Sequence, residues 1–212
     1  MSASPDARRI RREALVAGHL RAIPTGIATG IWGIVTGVAM VNSGLTAWQA
    51  VGMTLFVFAG SAQLAVLPLI VAQAPIWVIL LTAAAVNLRF VIFSAGLVPY
   101  LRKLPLAGRM LLGFSTGDFG YAISIAQWMR QPPEKRGAPE QIWFMIGSNL
   151  TTWLVWQISS LAGIALGAQI PPSWGLDFAV LAASAPLKLG LIAAVAAGSA
   201  AAMALDIALE KR

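Results

Sequence analysis

Long apolar runs separated by short clusters of helix breakers make up most of the chain. The runs cover residues 23–41, 46–72, 75–99, 109–129, 140–168 and 176–208. Between them stand "NSG" (42–44), "QAP" (73–75), "LPLAG" (104–108), "QPPEKRGAP" (131–139) and "PPSWG" (171–175), residue types that end helices and make turns. A helix needs about 20 apolar residues to cross a hydrocarbon core, and no run alternates as a transmembrane strand does. The pattern predicts an all-α fold, a polytopic helical transmembrane bundle of about six spans. Two runs are over-long. Residues 46–72 carry "AGSAQ" at their middle, and 176–208 carry "SAPLK". As one helix the second would reach about 50 Å against about 30 Å of hydrocarbon. Broken or re-entrant helices are expected there, which at membrane depth must line protein or a watery cavity.

Ahead of the first run, "SASPDARRIRREALVAGHLRAIP" offers Ser4 as an N-cap, Pro5 at the first helical position and a basic amphipathic stretch. Residues 1–22 are thus expected to form a basic N-terminal segment, an uncleaved anchor that keeps the N-terminus cytoplasmic. A weak internal echo divides the rest into 23–105 and 106–212. "TG" at 36–37 recurs at 116–117, "GSAQ" at 60–63 faces "GSNL" at 147–150, and "NLR" at 87–89 faces "LDF" at 176–178. Two halves of three spans each would form an inverted repeat within a single membrane domain. Six simple spans put Arg102, Lys103 and Arg109 opposite the other loop and terminal cations, and the charge rule favours that slightly over a re-entrant 46–72.

Composition narrows the chemistry. The 212 residues are 58% hydrophobic and 11% charged, against about 25% charged in a soluble domain. The formal charge of +7 sits at the ends and in short loops, so it orients the protein and does not make a nucleic-acid face. With no cysteine and a single histidine, His19, thiol redox chemistry and multi-histidine metal sites are excluded, and no cofactor is expected.

Arg89 is the one charged residue between Arg21 and Arg102. It lies fourteen residues into its run and ten from the end, some 15 Å from the nearer membrane face. Insertion scales charge about 2.5–3.5 kcal/mol for an arginine at such depth, beyond the comfortable reach of snorkelling. A counter-charge is needed; Asp118 in "GFSTGDFGYAIS" is the first candidate and Asp177 the second. Either the pair locks two helices together or it lines a polar cavity. Asn87, Gln63, Ser61, Ser115, Thr116, Asn149, Thr151, Thr152 and Gln157 sit at similar depth, individually interhelical glue. Gly60-Ser61 and Gly147-Ser148 are expected points of unwinding, where free N–H groups suit a carboxylate. Trp48, Trp77, Trp128, Trp143 and Trp174 suit an interfacial belt, while Trp153 and Trp156 lie deeper.

The segments "GLTAWQAVGMTLFVFAGSAQLAVLPLI" (44–70), "VNLRFVIFSAGLVPYLRKLP" (86–105), "GFSTGDFGYAIS" (113–124) and "GLDFAV" (175–180) resemble the AzlC family, the large subunit of two-component branched-chain amino acid exporters. The resemblance implies a multi-pass permease of the bacterial inner (cytoplasmic) membrane that exports leucine, isoleucine, valine or methionine with a small AzlD-type partner, and no enzyme activity. It carries the family's polar positions onto Gly60, Ser61, Gln63, Asn87, Arg89, Asp118 and Asp177. Members often have a histidine where Phe90 stands and an Asp-Glu pair where Asp118 is followed by Phe119.

The residues suggest how a zwitterion would be held. Its carboxylate would meet Arg89 or the N–H groups at 60–63, and its ammonium Asp118, with Asn87, Gln63 and Asn149 completing the hydrogen bonds. No phosphate-binding Gly-Lys-Ser/Thr loop is present, so a secondary, proton-coupled transporter is expected. A channel-like protein or a non-transporting scaffold for a partner are the alternatives, and an intramembrane enzyme lacks a nucleophile-base pair.

Overall fold

The computed structural model describes residues 5–167 and residue 169. All regular structure among them is helical, and the run 176–208, with Asp177, lies outside the described residues.

Helix α1 (Pro5–Ala22) begins at the proline suited to a first turn and passes through a tight turn at Ile23–Thr25 into α2 (Gly26–Asn42). Pro24 removes one backbone donor there. The hydroxyls of Thr25 and Thr29 donate to the Ala22 and Thr25 carbonyls at 2.7 and 2.9 Å. The basic segment is therefore continuous with the first run, a rod of 38 residues. It packs along α9 (Pro139–Gly167). The carbonyls of Leu15 and Phe144 press on Gly147 and Gly18, and further along those of Ile34 and Ser160 press on Gly163 and Gly37. Residue numbers climb together, so the two rods are parallel. A Cβ at any of these glycines would strike facing backbone, the close approach by which membrane helices associate.

Helix α9 is polar inside and apolar outside. Ser148, Asn149, Thr152, Gln157 and Ser160 are buried, whereas Leu150, Leu154, Ile158 and Leu161 are exposed. Such inversion suits a helix whose outer face meets lipid and whose polar groups find partners in the bundle.

Helices α3 (Ala47–Val57) and α4 (Gly60–Val71) are separated by Phe58, left-handed at φ 34°, and Ala59. Thr46 starts α3 with a reciprocal cap, its amide donating to Gln49 Oε1 at 2.8 Å while its hydroxyl accepts from Gln49 N. Gln63 Nε2 donates back to Met53 O at 2.9 Å. In a straight helix ten residues span about 15 Å, too far for that bond. The pair is folded into a V. Ala50 near its entry and Leu67 near its exit share an apolar cluster with Ala39, Met40 and Ile164, so both arms open toward the end of the bundle where α2 and α9 finish.

Helices α5 (Ile76–Asn87) and α6 (Arg89–Leu101) bend by 41° at Leu88 and together run the length of the bundle. Helices α7 (Leu106–Ser115) and α8 (Asp118–Trp128) make a second V. Leu112 and Trp128 cluster with Leu97, Tyr100, Leu101 and Met145, at the end where α1 and α9 begin. Between its arms Thr116 reaches Asn149, farther along α9.

The broken helix expected within 46–72 is present, and not every described run crosses as a simple span. Pro5–Asn42 and Pro139–Gly167 are each long and apolar enough to cross a membrane, and α5–α6 is so as a bent pair; the other two described runs fold back from opposite ends. The loops 102–105 and 129–138 then share the end where α1 begins, and with it Arg102, Lys103, Arg130, Lys135 and Arg136, while the loops 43–46 and 72–75 at the opposite end carry no charge. Other sequence features fall in places the runs did not indicate. Gly147-Ser148 lies inside an unbroken α9 and serves packing. The echo also pairs unlike places: residues 36–37 are within α2, whereas 116–117 form the tip of a V. Trp128, expected at an interface, is buried against Tyr100 with ring centroids 4.6 Å apart.

Candidate functional site

The tips of both V-shaped pairs meet the bend of α5–α6 halfway along α9. The three breaks differ in kind. "FAG" puts a left-handed residue ahead of a glycine; "TG" gives α8 an extended Gly117 as N-cap; "NLR" places a permanent cation at the bend.

Arg89 Nη2 donates to Ser61 Oγ at 2.6 Å, at the start of α4. The same nitrogen lies 3.3 Å from Asp118 Oδ2, the first residue of α8. One guanidinium thus joins the tips of two pairs that enter from opposite ends. Asp118 sits in the first turn of α8, where free N–H groups and the helix dipole favour a carboxylate. The ion pair is open on one side, with Arg89 and Asp118 side chains 31% and 50% exposed.

Phe90, where the family resemblance expects a histidine, lies under the guanidinium, its ring centroid 5.0 Å from Arg89 Cζ, within cation–π range. It continues edge-on to Phe93 (5.7 Å), which stacks on Tyr121 (4.1 Å). This aromatic ladder fixes α6 against α8 and holds Arg89 beside Asp118.

Around the pair stand amide side chains whose orientation follows from their bonds. Thr116 Oγ1 donates to Leu112 O, so it accepts from Asn149 Nδ2 at 2.9 Å. Asn149 Oδ1, pressed against Gly120, is left without a donor among the described residues. Asn87 Oδ1 and Arg89 Nε are likewise buried without partners. Gly60 admits the edge of the Trp156 indole, which a Cβ there would strike. Trp156 in turn donates to Thr54 Oγ1 at 3.1 Å and meets Phe58 edge-on at 6.2 Å.

Of the residues singled out by sequence, Gly60, Ser61, Gln63, Asn87, Arg89, Asp118 and Asn149 belong to these two tips, the bend and the facing stretch of α9. Asp177 lies outside the described residues. Thr54, Phe58 and Phe90 were missed as functional candidates; the signal available for Phe58 was its place just ahead of Ala59-Gly60 in an over-long run. The sequence marks Trp156 as lying deep and Gln157 as one of the interhelical polar groups, without bringing either to the tip of α3–α4. Among the described residues no group of three His, Cys, Asp or Glu could hold a metal.

Helices that are polar within and apolar without, two of them interrupted pairs meeting at an open ion pair, define a polytopic membrane protein with a polar site at mid-depth. The AzlC protein family model matches residues 24–170. The chain belongs to the AzlC family, which is associated with membrane transport and is not an enzyme family. No curated protein and no solved structure matches it.

Proposed function

We propose that this chain is the large subunit of a secondary transporter that exports branched-chain or similar apolar amino acids across the bacterial cytoplasmic membrane, with a small AzlD-type membrane partner. The observation that carries the reading is the meeting of Arg89 with Ser61 and Asp118 at the tips of two pairs entering from opposite ends. A zwitterion inserts between the charges. Its carboxylate takes Arg89 and the N–H groups opening α4, and its ammonium takes Asp118 with the donorless oxygens of Asn87 and Asn149. Gly60 and Gln63 shape the α3–α4 tip. Asp177 is proposed as a further site residue on the family resemblance alone.

Each tip is then a gate for the end from which it enters. Opening one while the other stays closed on Arg89 gives alternating access around a fixed mid-depth site. Asp118 is the carboxyl proposed to exchange the coupling proton when the substrate leaves. The cationic end, with α1, is inferred to face the cytoplasm by the positive-inside rule.

The test is export of leucine and methionine from cells making the chain with and without its small partner. The reading expects net efflux when both are present. Efflux no greater than in cells lacking the chain, with both proteins in the membrane, would contradict it.

A further inference from the structure

The α3–α4 tip has a second chemical character, separate from the ion pair. Two glutamines meet there. Gln63 Nε2 donates to Met53 O at 2.9 Å, and Gln157 Nε2 donates to Thr54 O at 3.1 Å. Each amide nitrogen is therefore spent on backbone at the end of α3, which fixes which atom of each amide is oxygen. Gln63 Oε1 and Gln157 Oε1 are both left without a donor among the described residues. The two residues are 0% and 5% exposed. Buried acceptors this enclosed are costly unless something positive or a donor satisfies them.

The backbone adds more oxygen. Because α3 stops at Phe58, no bond of the next turn closes onto the carbonyls of Leu55, Phe56 and Val57 among the described residues. The negative end of the α3 dipole thus points into the same tip. The adjacent residues Met53 and Thr54 bring both glutamine amides to that end. The two glutamine oxygens and the terminal carbonyls of α3 are all neutral oxygen acceptors, and no carboxylate among the described residues takes part. Such a set suits a hard cation of low charge, since a divalent ion would lack the anionic ligands that repay its dehydration. Broken-helix carbonyl ends hold sodium in other secondary transporters.

We infer that the α3–α4 tip binds a monovalent metal cation, sodium, through Gln63 Oε1, Gln157 Oε1 and the terminal carbonyls of α3. The ion ties α3, α4 and α9 together and keeps the tip folded back beside Arg89. Its departure frees that arm, so sodium occupancy sets whether the gate at the uncharged end is closed. The inference goes beyond the proposed export of amino acids, and it holds for any solute that Arg89 and Asp118 carry.

The test is binding of radioactive sodium-22 to the purified full-length chain in detergent. Saturable binding is expected, displaced by unlabelled sodium but not by potassium, choline or leucine. Sodium should also raise the thermal unfolding midpoint by about 2–5 °C over choline at equal ionic strength. Gln157→Leu and Gln63→Leu should each weaken sodium binding more than about tenfold, whereas Arg89→Gln should lose transport and keep sodium. Three results would each overturn the site: no saturable binding to folded wild-type protein, unchanged affinity in both glutamine variants, or displacement by leucine or methylammonium. The last would reassign these oxygens to the substrate's ammonium group. Failure of leucine export with sodium binding intact would overturn only the export reading.

Discussion

Arg89 is tolerable at mid-bundle because its surroundings answer both its charge and its shape. Asp118 supplies the opposite charge, Ser61 an acceptor and Phe90 a π-face. Since the pair is half-open, its value to stability is small, and Asp118→Asn should cost about 1 kcal/mol or less. Transport should suffer far more, because the zwitterion's ammonium loses the counter-charge that Asp118 supplies. A loss of at least about tenfold in leucine counterflow is expected, corresponding to about 1.4 kcal/mol, with the unfolding midpoint nearly unchanged. Equal losses in both would mean the pair is structural. Arg89→Lys should also fail, since an ammonium cannot reproduce the planar, forked donor set of a guanidinium. Residual counterflow near wild type would show that charge alone suffices. The need for a partner at Arg89, and Asp118 as first choice, were legible in the sequence because a deep cation is costly wherever it occurs. Phe90 was not legible: beside an arginine, a phenylalanine in an oily run gives no sign of which way its ring will face.

The elements are held together by glycine on one side and by amide-to-backbone bonds on the other. Where backbones touch, a methyl group has no room. Gly37→Ala would drive its Cβ into the Ser160 carbonyl and should cost about 1–3 kcal/mol, read as a lower unfolding midpoint in detergent. Gly52, in the middle of α3, has nothing within 4 Å. Gly52→Ala should instead stabilise the protein by about 0.5–1 kcal/mol through helix propensity alone. If both changes acted alike, parallel glycine packing would not be what joins the rods. Element positions were largely readable, because apolar runs and Gly/Pro breakers are local signals. The break in 46–72 was readable from its excess length. The breaks in 75–99 and 109–129 were not, since those runs are of ordinary span length and the polar groups interrupting them serve equally well as interhelical contacts.

At the scale of the whole molecule, the topology departs furthest from simple expectation. Two V-shaped pairs entering from opposite ends move the loop 102–105 to the same end as 129–138 and leave 72–75 at the other. Hydropathy could not reveal this, because a run that enters and returns has the composition of one that crosses. The charge count did contain the answer: folding both pairs back gathers the loop cations at one end, a cleaner asymmetry than six simple spans allow. The chain has no cysteine, so single introduced thiols report sidedness without background. With a membrane-impermeant maleimide on intact cells, Gln73→Cys should be labelled, and Ala107→Cys only after permeabilisation. Six simple spans require the reverse at both positions.

The central claim is that Arg89, at the junction of the two tips, handles the transported solute. The most direct measurement is counterflow of labelled leucine into leucine-loaded proteoliposomes containing the chain and the small partner proposed for it, comparing wild type with Arg89→Gln at equal amounts of folded, inserted protein. Saturable counterflow in the wild type and its loss in the variant is the predicted result. Wild-type counterflow through the folded Arg89→Gln protein would contradict the account.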